Sequence, residues 1–280
     1  MGVIDVLLNI AGLLLWLSWR AARLDPLVKT SAASLVGALK RAEPARFRRW
    51  PFLAGLVALL LLRAWLYWQI GPAVNWVPHL QLGAISVFFR SDVFGRVFLF
   101  SILSFLLTLA VFYLWLLFLS LVNGRSAESE PMQRMVQLHL GWVDRWPWMI
   151  KLLLPLFITG ATWMGLDPVL TQFKLIQPAL SGMHRLEEAA VIGLGAYLSW
   201  KYLIGALLLL WLISTYIYLG NNAFWTFITL TGRNTLSPLR WAPFRVGKLD
   251  FSPVVGILLV FLAAEFAQRG LTALYSRLPF

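Results

Sequence analysis

Six apolar runs, separated by polar stretches of two kinds, organise this chain. Residues 3–19, 51–68, 93–122, 147–166, 190–219 and 253–266 are long and carry few charges. A helix needs about 20 such residues to cross roughly 30 Å of hydrocarbon, so each run is read as a membrane span. The third run is long enough, at 1.5 Å per residue, to reach roughly 45 Å, and it must tilt or emerge from the bilayer. Asn123-Gly124, Asp167-Pro168 and Gly220-Asn221-Asn222 supply stop signals after the third, fourth and fifth runs.

The first kind of polar stretch is basic and amphipathic. In residues 20–50, Leu24, Val28, Leu35 and Leu39 recur at helical spacing, with Lys29, Ser34 and Lys40 off that stripe. Such a pattern predicts a helix lying on a membrane surface, against the alternative of a basic loop with incidental leucines. Residues 125–145 repeat it with Met132, Met135, Val136 and His139, and residues 220–252 with Phe224, Phe227, Ile228 and Thr231. The second kind, at 69–92 and 169–188, reads as excursions on the other side of the bilayer. Within the first excursion Leu80-Gln81-Leu82 and Ile85-Ser86-Val87 alternate as a short strand pair would.

Composition changes the picture in one respect. With 60% hydrophobic and 13% charged residues, the chain has too few charges to solvate a globular surface, so it is an integral membrane protein. A net charge of +12 would suggest nucleic acid in a soluble protein. Here the cations concentrate in loops, which points to anionic membrane lipids and not to nucleic acid. The loops after spans one, three and five hold eight, three and four Lys and Arg; the remaining loops and tail hold five. That asymmetry predicts the amphipathic stretches on the cytoplasmic side and both termini outside. No basic residue precedes the first run and Asp5 lies within it, so it is read as a retained helix, not a signal peptide. Val6 stands where a myristoylation signal needs Ser or Thr.

The punctuation also repeats. Arg49-Trp50-Pro51 and Arg145-Trp146-Pro147 open spans, Arg240-Trp241 holds a similar place, and Trp19, Trp115 and Trp211 are spaced evenly at 96 residues. The expected fold class is therefore all-α: about six transmembrane helices in three parallel repeats of helix, amphipathic segment and helix. The units would span 1–96, 97–192 and 193–280.

Pro238-Leu239-Arg240, then Leu249-Asp250-Phe251-Ser252-Pro253 opening a hydrophobic helix, resemble the YggT family (YlmG in plastids and Gram-positive bacteria). The likeness is best over about 200–275. Residues 110–165 keep Arg145-Trp146-Pro147 but lack the Asp-x-Ser-Pro element, and residues 10–68 match more loosely. The resemblance implies a small, multi-pass protein of the bacterial inner membrane with no enzymatic activity. It also implies links to osmotic stress, division or membrane-complex assembly, and envelope or division proteins as partners. Family members usually carry one or two repeats, so three would be a departure.

Several residues were weighed for function. Ser252 and Pro253 suit the start of a helix, with Asp250 complementing its dipole. Arg49, Trp50, Arg145, Trp146, Arg240 and Trp241 suit interfacial anchoring, or together a site for an anionic lipid or partner. Arg63, Lys201 and Glu265 fall inside spans, where neighbouring helices pair them or each snorkels outward. Arg96 and Lys151 lie near enough to span ends to snorkel. Asp92, Asp167, Glu187 and Glu188 are read as surface ion-pair formers, and Gly193 and Gly195 as sites of close helix packing. His79, His139 and His184 stand apart in three loops, and the chain has no cysteine, so no metal site is expected. Without a G-x-S-x-G, H-E-x-x-H or P-loop, no catalytic residue or cofactor is assigned. The leading expectation is a non-enzymatic envelope organiser acting through basic interfacial helices; the alternative is a transporter or osmotically gated channel.

Overall fold

The computed structural model describes residues 2–24, 50–73, 76–83, 85–124, 131–177, 181–217, 222–237, 245–246 and 249–277. Among them, six helices or helix pairs are long and apolar enough to cross a membrane. They are α1 (Val3–Leu24), α2 (Trp50–Ile70), α3 (Phe94–Asn123), α5 (Trp148–Gln172), the α6–α7 pair (Gly182–Gly195 and Trp200–Tyr216) and α9 (Ser252–Arg277). Two short helices stand between spans, α4 (Pro131–Leu140) and α8 (Ala223–Thr235). Of the stretch 20–50 where a surface helix is expected, residues 20–24 continue α1 and Trp50 opens α2, and residues 25–49 lie outside the described residues.

Strands β1 (His79–Leu82) and β2 (Ile85–Phe88) form the hairpin that the alternation predicts. Gly83 turns it at φ +62°, a conformation that costs glycine little. Leu80, Ile85, Val87 and Phe89 are buried while His79, Gln81, Ser86 and Phe88 are exposed, the period of two that a half-buried strand shows. A second, two-residue pairing joins β3 (Arg245–Val246) to β4 (Leu249–Asp250).

The chain divides into two compact units, residues 1–80 with 88–109 and residues 81–87 with 110–280. In the first, α1 lies on α2 and the N-terminal part of α3. Gly12 lets the Phe105 ring approach; a Cβ there would meet it at 2.9 Å.

In the second unit α5 and α6 pack most closely. A Cβ on Gly193 would stand 2.7 Å from the Leu156 carbonyl oxygen, and one on Gly160 would stand 3.2 Å from that of Ala189. Small residues at these points let the two backbones approach, since apolar burial alone drives little helix association within lipid. Gly193 thus does what its position suggested, and Gly195 lies against Gly83 of the hairpin. At the opposite end of the unit, Phe118 of α3, Leu207 of α7, and Phe227 and Ile228 of α8 form a buried core, flanked by Met132 of α4. The stripe read in 220–252 is therefore the packing face of α8, while of the stripe in 125–145 Met132, Val136 and His139 face inward and Met135 is exposed.

Two expectations are corrected. Asp167-Pro168 do not end the fourth span: α5 runs on to Gln172 with Pro155 and Pro168 inside it. Proline leaves one carbonyl unpaired, a cost that a packed membrane helix tolerates better than an isolated one. The second excursion shrinks accordingly, because α6 begins at Gly182, where Ser181 accepts a hydrogen bond from the His184 N–H (3.1 Å). The fifth span is one helical run, Gly182–Tyr216, with a 3-10 stretch over Ala196–Ser199 within it.

Candidate functional site

In the first unit, polar side chains converge between three spans. Asp5 and Asn9 share one face of α1, and Arg63 and Tyr67 one face of α2, each pair one helical turn apart. Arg63, only 1% exposed, donates to Asp5 Oδ1 (2.6 Å), Asn9 Oδ1 (2.8 Å) and Ser104 Oγ of α3 (3.1 Å). Asn9 Nδ2 donates to the same Ser104 oxygen (2.9 Å), and the Tyr67 hydroxyl donates to Asp5 Oδ1 (2.8 Å). The guanidinium also stands 5.0 Å from the Phe100 ring centroid and 5.6 Å from that of Tyr67. Such a charge is tolerable away from water because a carboxylate, neutral acceptors and aromatic faces replace its hydration.

A second network ties the α4 end of the second unit together. Ser120 of α3 donates to Asp144 (2.5 Å) and accepts from Lys151 Nζ of α5 (2.8 Å), with Lys151 3.6 Å from Asp144. Asn123 donates to Thr231 of α8 (2.9 Å) and accepts from Asn234 (3.4 Å). Lys151 therefore does not snorkel; it is buried with partners. The outward face of this end is unlike the inward one. Met135, Leu138 and Trp142, the last 78% exposed, form an apolar stripe, with exposed Arg134 and Arg145 beside it.

The third cluster lies between α5 and α6, where surface ion pairs were expected. Asp167 is 1% exposed, and Glu188 and His184 are buried too. Arg185 Nε stands 2.7 Å from Asp167 Oδ2, His184 Nε2 stands 3.3 Å from Glu188 Oε1, and Trp163 Nε1 donates to Glu188 Oε2 (3.3 Å). The Arg185–Asp167 contact is an ion pair without hydrogen-bond alignment, so both Asp167 oxygens lack a hydrogen bond. Thr171 Oγ1 and His184 Nδ1 are buried without one as well. His184 is thus neither isolated nor in a loop. Hydrophobicity and i,i+4 spacing together carried the signal: Asp167 with Thr171, and His184 with Glu188, each define one helix face.

The residues singled out from sequence fall in different surroundings. Trp50 opens α2 and is exposed, Arg145 is exposed, and Trp146 is half-buried with its N–H on the Val143 carbonyl (3.2 Å). Arg49, Pro238, Arg240 and Trp241 lie outside the described residues, as does the Asp250 side chain, although the Asp250 backbone pairs with Arg245. Ser252 begins α9, with buried Pro253 in its first turn. Lys201 reaches Gln268 Oε1 of α9 (3.4 Å) and lies 5.1 Å from the Tyr202 ring. Glu265 meets Arg269 on its own helix (2.9 Å). Arg96 lies 3.8 Å from Asp92. Among the described residues no group of three or more His, Cys, Asp or Glu is placed to hold a metal ion.

Spans of this length and composition define a multi-pass, α-helical membrane protein. No family model, no curated protein and no solved structure matches the chain.

Proposed function

We propose that this is a non-enzymatic protein of the bacterial inner membrane, YggT-like in its third repeat, that organises or stabilises the envelope through basic interfacial segments. The observation that carries this reading is the outward face of α4 and the turn after it. Met135, Leu138 and Trp142 offer apolar surface beside Arg134 and Arg145, the composition of a segment seated at headgroup depth. The occupant of that face is anionic lipid, with envelope or division proteins recruited to the same surface. Three repeats with both termini outside remain the arrangement that the loop charges favour.

The test is retention of phosphatidylglycerol and cardiolipin by the purified full-length protein, counted by native mass spectrometry. Each basic residue near an anionic surface contributes about 1 kcal/mol. Arg49, Arg145 and Arg240 changed together to Gln should therefore lower retention by well over tenfold. Retention equal to the parent protein would remove the mechanism. A transporter or gated channel is the second reading, favoured by the 3-10 stretch within the fifth span beside buried ionisable groups. Solute or ion flux into liposomes separates the two.

A further inference from the structure

The α5–α6 cluster does not resemble a finished piece of core. Buried polar groups in a settled interior are almost always hydrogen-bonded. Here Asp167, Thr171 and His184 keep four buried atoms without a hydrogen bond, on facing sides of two helices. Its charge inventory is also open. Two carboxylates, Asp167 and Glu188, face one permanent cation, Arg185, and one imidazole, His184. With both carboxylates ionised, the charges balance when His184 carries a proton. Two further ionisable groups are near: half-buried Glu187 on α6, and Tyr275 of α9, close enough for its phenol to feel the Glu188 charge.

The helix that carries four of these groups, α6, continues into α7 through a 3-10 segment. The fifth span of 35 residues would extend roughly 50 Å as helix, well beyond the hydrocarbon thickness, so it tilts or emerges from the bilayer. Arg185 is 41% exposed along its side chain, whereas its partner Asp167 is buried. The 3-10 segment joins α6 to α7; α9 packs on both, while α5 packs on α6 and α8 on α7. Trp115 of α3 donates to the Ser199 carbonyl (3.1 Å), and Trp200 of α7 donates to that of Leu114 (3.1 Å). Helix α6 rests on α5 through Gly193 and through the ionisable cluster. A 3-10 stretch inside a helix often marks a hinge.

We infer that the His184–Glu188 pair, with Asp167 and Arg185 beside it, is a proton-binding site whose occupancy sets how firmly the first turns of α6 are held on α5. Histidine is the side chain whose ordinary charge change falls between about pH 5 and 8. When His184 is charged, it attracts the Glu188 carboxylate and the cluster is neutral. When His184 loses its proton, Glu188 keeps the Trp163 N–H and at most a neutral hydrogen bond from the imidazole, and its charge is left uncompensated away from water. The first turns of α6 are then held more firmly when His184 is protonated than when it is neutral. The inference goes beyond the lipid-binding reading and does not depend on it.

The absence of cysteine makes a direct test simple. Spin labels at Phe173→Cys and Met183→Cys, in full-length protein in nanodiscs, report the distance between the end of α5 and the start of α6 by pulsed electron resonance. The distribution should be narrow at about pH 5.5 and broader or longer at about pH 8. Glu188→Gln and His184→Gln, each added to the labelled protein, should make the two pH values give the same distribution. A parent protein whose distribution is the same at both pH values overturns the proposal with no further substitution needed. A pH response that persists unchanged in Glu188→Gln overturns it too.

Discussion

Two Arg–Asp pairs among the described residues, each with a buried carboxylate, are chemically alike and differ in how completely they are solvated by protein. Arg63 and Asp5 lie 2.6 Å apart, Arg185 and Asp167 2.7 Å apart. Around the first, Asn9, Ser104 and Tyr67 supply further hydrogen bonds, and of the cluster only Arg63 Nε has none. Around the second, both Asp167 oxygens, Thr171 Oγ1 and His184 Nδ1 are left open, and Arg185 reaches solvent. A saturated cluster has nothing to gain from another ligand or proton, so its charges serve to fix helices in place. An unsaturated one next to a titratable imidazole can still respond. Saturation, and not burial or ion pairing alone, separates a structural charge from a responsive one.

The sharpest way to break that comparison is to remove one partner from the saturated cluster. Asp5→Ala leaves Arg63 as a charge without its counterion among three spans, and such a change costs about 3–5 kcal/mol. Reversible unfolding in mixed micelles would measure it. Exchanging both partners for leucine should recover a large part of the loss, because the charge is then gone as well. A double variant as unstable as Asp5→Ala would mean that the pair itself, with its register between α1 and α2, is what the fold needs.

A subtler contrast uses one hydroxyl from each cluster. Ser104 accepts from both Arg63 and Asn9, so Ser104→Ala strands two donors and should cost about 1–3 kcal/mol. Thr171 Oγ1 has no partner to strand. Thr171→Val should therefore be neutral or slightly stabilising in the same unfolding measurement. If it costs as much as Ser104→Ala, the second cluster is saturated by bound water and the distinction between the two falls.

What the sequence disclosed about these clusters follows from the range of each interaction. Spans, the hairpin and the buried faces of α4 and α8 depend on short-range periodicity, and Phe227, Ile228 and Thr231 stood out for that reason. The partner of Arg63 lies 58 residues away, and nothing local distinguishes Asp5 from any other carboxylate as that partner. Asp5 and Asn9 mark a polar face on α1, of which the targeting argument uses Asp5 alone. Asp167 was misplaced because Pro168 reads locally as a stop, while the contact that carries α5 past it is made with α6, a helix beginning ten residues after α5 ends. Glycine was more informative. Gly193 implied close approach before any partner was known, since the absence of a side chain on a span face has few other uses.

The smallest expected effect tests whether protein burial is what gives the first pair its weight. Glu265 and Arg269 form an ion pair of ordinary length, 2.9 Å, but their side chains are 54% and 74% exposed. On a face open to water, screening and side-chain entropy reduce such an i,i+4 pair to about 0.5 kcal/mol or less. Glu265→Gln should then leave the unfolding free energy nearly unchanged, in contrast to Asp5→Ala. The surrounding face of α9 is apolar, with Leu258, Phe261, Leu262 and Phe266 all exposed, so lipid and not water is the other candidate to cover it. The pair lies in the C-terminal half of α9, whose 26 residues make it roughly 39 Å long, more than the hydrocarbon thickness. A negligible effect would place this half among the headgroups. A loss approaching that of Asp5→Ala would place the pair in hydrocarbon, where lipid desolvates a charge as thoroughly as protein does.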